Sequence, residues 1–173
     1  LGESLGALIS FMLAGKEPNM FNGLICISPA FVNRMKIKLI DYIKIFSSAI
    51  YDPKKQFHMP FSSAMCTQDE VYQEVMNHDH REHRLATSGL LMKIAAVQIK
   101  SGMIKKKIKI PVLFLLAGKD KLVDPGASRK VFNALKVKDK KIIDYPEMYH
   151  ALSIELSKDK VFGDIFEWLI ERI

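Results

Sequence analysis

The sequence predicts an α/β fold: a parallel sheet flanked by helices, with a long helical insertion between two of its strands. Two short, continuous apolar runs, at 21–27 and 111–116, are typical of strands buried on both faces of a parallel sheet. Segments with helical spacing alternate with such strands, which is the order of an α/β sheet. With 173 residues, the chain is long enough to bury one hydrophobic core.

The core elements follow the usual signals for helices and strands. Small and apolar residues after Ser4 predict a buried helix, which the breaker residues at 16–19 end. Pro125 stands in the first turn of a later helix, where proline is favoured. We expect core helices at 5–14, 125–135 and 160–172, and core strands at 21–27, 111–116 and 140–145.

The segment between the first two strands has a different pattern. Apolar residues recur there at helical spacing, and nothing in the segment requires a strand. Thr67 is a suitable N-cap for the middle helix. The predicted division is therefore a sheet domain, at 1–32 and 109–173, and an all-helical insertion at 33–108 with helices at 34–51, 67–76 and 86–100.

The composition excludes several classes of protein. The net charge of +7 comes mainly from lysine, and the densest basic run, at 105–109, contains no aromatic residue. Nucleic-acid readers favour arginine and interleaved aromatics, so we expect a solvated surface and no nucleic-acid partner. Two cysteines, Cys26 and Cys66, are too few for a disulfide framework, which favours a reducing, cytoplasmic location. No apolar run approaches the ~20 residues of a membrane-spanning helix.

The chain begins with a candidate nucleophile. Residues 2–6 (GESLG) fit the pattern G-x-S-x-G, in which a tight strand-to-helix turn presents a serine hydroxyl. We expect Gly2 and Gly6 to be needed because side chains there would clash where strand and helix pack closely. Only Leu1 precedes this turn, so the strands expected before Ser4 are missing from this chain. We therefore interpret the sequence as the carboxyl-terminal part of a longer protein.

Two further residues are placed to activate Ser4. A serine hydroxyl becomes a nucleophile when a base removes its proton and a carboxylate holds that base. Asp120 and His150 each follow a predicted core strand, and therefore lie at the carboxyl edge where α/β sheets build their sites. The chain order serine, aspartate, histidine suits a nucleophile on a strand-to-helix turn. Asp124 is better placed to cap the next helix.

A histidine-rich stretch at 78–84 (HDHREHR) raises the alternative of a metal site. His78, His80 and His83 match neither H-E-x-x-H nor a Cys/His zinc pattern. We interpret the stretch as a polar loop and expect no metal ion and no organic cofactor.

These features together resemble the monoacylglycerol lipase and lysophospholipase branch of the α/β-hydrolases, a group that also includes serine aminopeptidases. The resemblance runs through nearly the whole chain. It is carried by GESLGA at 2–7, FNGLICISPA at 21–30, CTQDEVYQEVMNHDHREHRLAT at 66–87, GKDKLVDP at 118–125 and YPEMYHAL at 145–152.

The resemblance implies an α/β-hydrolase fold in which Ser4 is the nucleophile, Asp120 orients the base and His150 is the base. The backbone N–H of Leu5 would be one oxyanion donor, and the family's second donor lies ahead of the serine turn, in a part absent here. The family's cap, here 33–108, would cover the site and form an acyl-chain tunnel.

On this basis we expect a serine ester hydrolase that cleaves a monoacylglycerol or a lysophospholipid through an acyl-enzyme. The alternatives are a carboxylesterase, thioesterase or peptidase of the same fold, because the fold does not select the acyl group, or a non-catalytic fragment. The sequence offers no identifiable acidic anchor for a peptidase substrate's amine.

Transient contact of the cap with a membrane surface and the oligomeric state are left open. Slight support for a lipid-like substrate comes from the adaptable side chains of Met35, Met59, Met65, Met76, Met92 and Met103.

Overall fold

The computed structural model describes residues 1–35, 37–82 and 84–172. In chain order the strands are β1 (Gly2–Glu3), β2 (Leu24–Ile27), β3 (Gln56–His58), β4 (Leu85–Thr87), β5 (Val112–Ala117) and β6 (Lys140–Tyr145). The helices are α1 (Leu5–Lys16), α2 (Leu39–Tyr51), α3 (Ser63–Cys66), α4 (Glu70–His78), α5 (Ser88–Ile104), α6 (Pro125–Asn133) and α7 (Lys158–Ile170). Short 3₁₀ helices cover Lys105–Lys107 and Leu152–Ile154.

Four strands form a parallel sheet in the order β1-β2-β5-β6. Leu24 pairs with Val112 where β2 meets β5, and Val112 pairs with Lys140 where β5 meets β6. Strand β5 lies between two neighbours and all six of its residues are buried. The α/β prediction is confirmed, and the core helices and strands differ from the predicted ranges by a few residues at their ends.

Strand β5 separates the core into two layers because its side chains alternate between the faces of the sheet. Phe114 points into the layer that contains α1 and α6, where its ring centroid lies 5.9 Å from that of Phe31 and 5.4 Å from that of Phe132. Leu115 points into the opposite layer, which contains Trp168 of α7. The sheet edge that carries the site residues is therefore supported from both faces.

The residues between β2 and β5 contain helices α2 to α5 and a second, antiparallel sheet made of β3 and β4. Gln56 pairs with Thr87, and His58 pairs with Leu85. The prediction of an all-helical insertion was therefore wrong at these strands. Each strand has three residues and pairs with a partner far away in the chain, so no local pattern marks it. The domain boundaries at 32/33 and 108/109 stay predictions.

Helix α4 begins with a different cap from the predicted one. Asp69 Oδ1 accepts hydrogen bonds from the N–H groups of Val71 and Tyr72 at 3.0 and 3.4 Å. The Thr67 hydroxyl instead accepts a hydrogen bond from Asp69 N and donates one to Ile154 O, both at 3.1 Å. Thr67 was therefore the wrong cap, because the helix starts later and the hydroxyl is engaged by another part of the chain.

The histidine-rich stretch is only partly described, since His83 lies outside the described residues. His78 and His80 are exposed, and His78 Nδ1 lies 3.3 Å from a carboxylate oxygen of Glu74. Within the described ranges, no group of three or more possible ligands is arranged to hold a metal ion. No helix within those ranges has the length and apolar character needed to cross a membrane.

Candidate active site

Ser4 lies on a tight turn between β1 and α1 and has backbone angles φ 54° and ψ −118°. A residue with a side chain rarely adopts this conformation, and holding it costs about 1–3 kcal/mol. Two backbone hydrogen bonds hold the turn: Ser4 N donates to Ile27 O at 2.9 Å, and Ala30 N donates to Ser4 O at 3.2 Å. The end of the neighbouring strand β2 therefore fixes the turn.

The two glycines of the turn differ in what they allow. A Cβ atom on Gly2 would lie 2.4 Å from Gly6 O, so only glycine fits at that position. A Cβ atom on Gly6 would meet no heavy atom within 4 Å in the described part of the chain. The expectation that both positions are crowded was therefore wrong for Gly6, because the crowding at Gly2 comes from the backbone of Gly6 and Ala7, and a side chain on Gly6 would point into open space.

The structure brings Ser4, His150 and Asp120 together in one hydrogen-bonded chain. His150 Nε2 lies 2.8 Å from Ser4 Oγ, and His150 Nδ1 lies 2.7 Å from Asp120 Oδ2. Asp120 is 2% exposed and His150 is 5% exposed, so water has little access to the contact between them. With an Nδ1–H tautomer, His150 donates a hydrogen bond to the carboxylate and its Nε2 accepts one from the serine hydroxyl.

Backbone N–H groups orient the Asp120 carboxylate. Its Oδ1 atom accepts hydrogen bonds from Leu122 N at 2.8 Å and Val123 N at 2.9 Å, which leaves Oδ2 for His150. Asp124 Oδ1 accepts a hydrogen bond from Gly126 N at 2.9 Å, so the prediction that Asp124 caps the next helix is confirmed.

The loops after β5 and β6 approach each other closely. A Cβ atom on Gly118 would lie 2.5 Å from the Cα atom of Pro146, so glycine is required where the two loops meet. Lys119 N donates a hydrogen bond to Met148 O at 3.0 Å. This close packing holds the Asp120 loop against the His150 loop.

Leu5 is the first residue of α1, directly after Ser4. The N–H groups in the first turn of a helix have no partner within the helix, and the helix dipole makes them favourable to negative charge. The backbone N–H of Leu5 therefore lies beside Ser4 at a helix end that favours negative charge.

A cavity of about 1180 Å³ opens beside Ser4. Ser4, Leu5 and His150 line one end of it. The rest of its wall is mainly apolar and comes largely from α2, α5 and the loops between them, including Tyr42, Ile45, Phe46, Phe61, Leu91 and Ile94. Such an enclosure suits an apolar ligand of the size of an acyl chain with a small head group.

Glu3, the residue before Ser4, makes a contact that the sequence did not predict. The Glu3 carboxylate accepts hydrogen bonds from Ser153 Oγ at 2.6 Å and from Ser153 N at 3.2 Å. The serine turn is thereby linked to the segment just after His150. Its position next to Ser4 was the only sequence signal for Glu3, since Ser153 is distant in the chain.

Cys66 also lines the cavity and makes a backbone contact beside His150. Its carbonyl oxygen accepts a hydrogen bond from Ala151 N at 2.8 Å. Burial, with a smaller contribution from the nearby Glu82 carboxylate, raises the pKa of the Cys66 thiol to about 11. The thiol is therefore protonated at neutral pH and is a weak nucleophile.

The structure has a parallel sheet with helices on both faces. A serine on a strained strand-to-helix turn faces a buried histidine and aspartate. These features together define an α/β-hydrolase fold. The chain belongs to the family described as serine aminopeptidase, S33, whose model matches residues 1–157.

Three similar proteins illustrate the relationship. Monoglyceride lipase of Mus musculus is 22% identical over 184 residues, which cover 100% of this chain and 58% of the mouse protein. Phospholipase YtpA of Bacillus subtilis is 25% identical over 165 residues, which cover 94% of this chain and 63% of that protein. The crystal structure of a monoacylglycerol lipase from Paleococcus ferrophilus superposes with a TM-score of 0.92 at 24% identity, and the match covers 99% of this chain and 67% of that one. The chain thus spans less than two thirds of the curated relatives it matches.

Proposed function

We propose that this chain carries the nucleophile, base and acid of a serine hydrolase that cleaves carboxylic esters of lipid-like molecules. The observation that carries the proposal is the hydrogen-bonded chain from Ser4 through His150 to Asp120 at one end of an apolar cavity. The similarity to a monoglyceride lipase and a phospholipase supports a monoacylglycerol or a lysophospholipid as substrate.

The positions of these atoms support the following reaction. Ser4 Oγ attacks the ester carbonyl carbon while His150 Nε2 takes the hydroxyl proton, and Asp120 stabilises the resulting imidazolium. The Leu5 N–H donates to the carbonyl oxygen as it becomes negative. His150 then gives the proton to the departing alcohol, which leaves an acyl group on Ser4.

A water molecule then releases the acyl group from Ser4 through the same steps, with water in the place of the departed alcohol. His150 removes a proton from the water, the hydroxide attacks the acyl carbon, and the proton returns to Ser4 Oγ as the fatty acid leaves. Side chains of this chain make every proton transfer, so the proposal includes no metal ion and no organic cofactor.

The side chains of the cavity wall support binding of the substrate's acyl chain in the cavity. Four of the methionines that the sequence analysis associated with a lipid-like ligand line the wall: Met35, Met59, Met76 and Met92. Unbranched thioether side chains adapt to flexible alkyl chains at little cost. Burying each CH₂ group of an acyl chain would contribute about 0.8 kcal/mol to binding.

A second candidate function, an aminopeptidase, is favoured by one observation. The cavity wall includes the carboxylates of Glu3 and Glu82, and Glu3 is already engaged by Ser153. Glu82 is therefore a candidate anchor for the free amine of a peptide substrate, an anchor that the sequence alone did not reveal. The predominantly apolar wall favours the ester hydrolase.

The outer face of α2 supports transient contact of the insertion with a membrane surface. Four apolar residues of α2 are 52–75% exposed: Leu39, Ile40, Ile43 and Ile50. Two exposed lysines lie nearby, Lys44 on the helix and Lys38 at its N-cap. An exposed apolar face flanked by lysines suits the interface of an anionic membrane. A cytoplasmic location belongs to the same proposal and is supported by two free, buried cysteines.

Labelling with a fluorophosphonate probe tests the proposal, because the probe reacts with activated serines. We expect one adduct on the protein, detected by intact mass, and no adduct on Ser4→Ala. The substrate is then tested by hydrolysis of a monoacylglycerol, a lysophospholipid and an amino-acyl anilide. Ser4→Ala is the deciding variant, because it removes the labelled atom itself. In a variant of a neighbouring residue, such as Glu3→Gln, loss of the adduct would be an indirect effect. The assignment is rejected if Ser4→Ala is fully labelled, or if the natural protein without substitutions is not labelled.

A further inference from the structure

Three consecutive residues of the insertion, Cys66, Thr67 and Gln68, bind the loop that carries His150. We call residues 66–68 the clamp and residues 146–156 the histidine loop. Cys66 O accepts from Ala151 N at 2.8 Å, and the Thr67 hydroxyl donates to Ile154 O at 3.1 Å. Gln68 Nε2 donates to Glu147 O at 2.8 Å. The clamp therefore contacts the histidine loop at both of its ends and beside His150.

Glu155 joins the same two segments from within. It is 1% exposed, and its Oε1 atom accepts hydrogen bonds from Gln68 N and Tyr149 N, both at 3.0 Å. Its Oε2 atom accepts a hydrogen bond from Leu156 N at 3.1 Å. A buried carboxylate is costly unless such bonds compensate it, and here three backbone N–H groups do so. Glu155 is thus built into the contact between the clamp and the histidine loop.

These contacts surround His150 in the chain. Tyr149, directly before it, donates to Glu155, and Ala151, directly after it, donates to Cys66. The two ring contacts of His150, at 2.8 and 2.7 Å, leave little freedom for a shift of its backbone. The position of the imidazole therefore depends on the insertion as well as on the sheet.

We propose that Glu155 and Thr67 are positioning residues that couple the insertion to His150. When the clamp is seated on the histidine loop, the imidazole lies between Ser4 and Asp120. When the clamp moves away, the loop loses the bonds on both sides of His150, and Ser4 is no longer activated. Loss of these contacts would thereby slow the chemical step. This inference rests on the proposed hydrolase function.

Thr67 gives the sharper test because it can be changed with little change of shape. It is fully buried, and in the described structure neither Thr67 nor Glu155 lines the cavity. We expect Thr67→Val, made in the full natural protein, to lower kcat roughly tenfold through misplacement of the base, with KM changed less than about twofold. Thr67→Ser keeps the hydroxyl and should retain most of the activity of the unchanged protein.

Glu155 is tested against a matched change on the same loop. Glu155→Gln replaces an acceptor oxygen by an amide that cannot accept from Leu156 N. Glu147→Gln is the control, since the Glu147 side chain is exposed and pairs with Lys119, while only its backbone oxygen meets the clamp. We expect Glu155→Gln to lower kcat and Glu147→Gln to leave it unchanged.

Hydrogen exchange of the backbone supplies a readout that does not depend on activity. In Thr67→Val, exchange should accelerate in residues 147–156, although the substitution lies in the insertion. In Glu155→Gln, exchange should accelerate in both the histidine loop and the clamp, and in Glu147→Gln in neither.

The outcomes separate this inference from the proposed function. Unchanged kcat and unchanged exchange in both test variants would overturn the coupling while leaving the hydrolase assignment intact. Equal loss of kcat in Thr67→Ser and Thr67→Val would also overturn it, because the hydroxyl would then have no role. If the unchanged protein hydrolyses no ester and takes no probe, the function is rejected, and coupled exchange would then show a mechanical link without control of catalysis.

Discussion

Strand β5 and helix α2 are both rich in apolar residues, yet they lie in opposite environments. All six residues of β5 are buried, whereas only Ile45 and Ser48 are buried among the thirteen residues of α2. Strand β5 is covered by a neighbouring strand on each side and by helices on each face, which accounts for its continuous apolar run. The apolar residues of α2 therefore have a different purpose from those of the core.

The difference shows that the apolar residues of this protein divide between the buried core and the wall of the cavity or the surface. One side of α2, with Tyr42 and Phe46, lines the cavity, while Ile43 and Ile50 face outward. An exposed apolar face of this kind is consistent with the proposed contact with a membrane surface. The sheet would thus determine whether the protein folds, and the insertion what it binds.

The largest expected difference between the two regions is in the free energy of unfolding. Phe114→Ala removes a ring that is fully buried among three other phenylalanine rings, and we expect a loss of about 3–5 kcal/mol. Phe46→Ala removes a ring that is 57% exposed, and we expect a loss below about 1 kcal/mol. Urea unfolding followed by circular dichroism measures both. Similar losses in the two variants would mean that α2 belongs to the folding core.

Much of the sheet region could be predicted because its signals are local. A continuous apolar run predicted β5, and β6 has the predicted bounds. Asp120 and His150 were predicted as site residues because each lies in the loop after a predicted core strand, and the structure places Asp120 Oδ2 2.7 Å from His150 Nδ1. Asp124 was assigned to the following helix from its place at the helix start, and it caps that helix.

The parts that could not be predicted depend on contacts between distant segments. The three-residue strand Gln56–His58 exists because it pairs with Leu85–Thr87, and neither carries a pattern of its own. The local sequence predicts Thr67 as a helix cap, but the Thr67 hydroxyl donates its hydrogen bond to Ile154 O. The hydrogen bond between Gln68 N and Glu155 forms only because two segments that lie far apart in the chain meet in the fold. Such residues become visible only when the fold is known.

The sheet region contains Cys26 and the insertion contains Cys66. The rates at which the two thiols are alkylated therefore give a second comparison of the regions. Burial raises the pKa of both thiols, and that of Cys66 rises to about 11. The thiolate is the reactive form, and only about one Cys66 thiol in a thousand is ionised at pH 8. We expect the rate with iodoacetamide to rise about tenfold per pH unit from pH 8 to pH 10 for Cys66. Cys26, fully buried beneath α1, should stay unmodified while the protein is folded.

Peptide mass spectrometry after timed alkylation distinguishes the two sites, and Cys66→Ser serves as the control for Cys26. Modification of Cys26 at the rate of Cys66 would contradict the comparison, since it would mean that the sheet opens as easily as the insertion.

The smallest expected effect on stability comes from the outer face of α2. Ile43 and Ile50 are 56% and 75% exposed, so changing both to serine should alter the free energy of unfolding by less than about 0.5 kcal/mol at each site. The same change should weaken binding to vesicles that contain phosphatidylglycerol by roughly tenfold, because apolar side chains drive insertion into the interface. Vesicle co-sedimentation measures this, with vesicles of phosphatidylcholine alone testing the contribution of the lysines.

The matched control is Phe166→Ser on α7, a helix that packs against the sheet face opposite α1. Phe166 is 62% exposed, so it presents a comparable apolar side chain in a different place. If only the α2 variant loses vesicle binding, the exposed apolar residues of the insertion form a membrane-facing surface. Equal losses in both variants would mean that adsorption is nonspecific, and no loss in either would remove membrane contact from the role of α2. In that last case the outer face of α2 would need another partner to explain its exposure, because its apolar side chains contribute little to the fold.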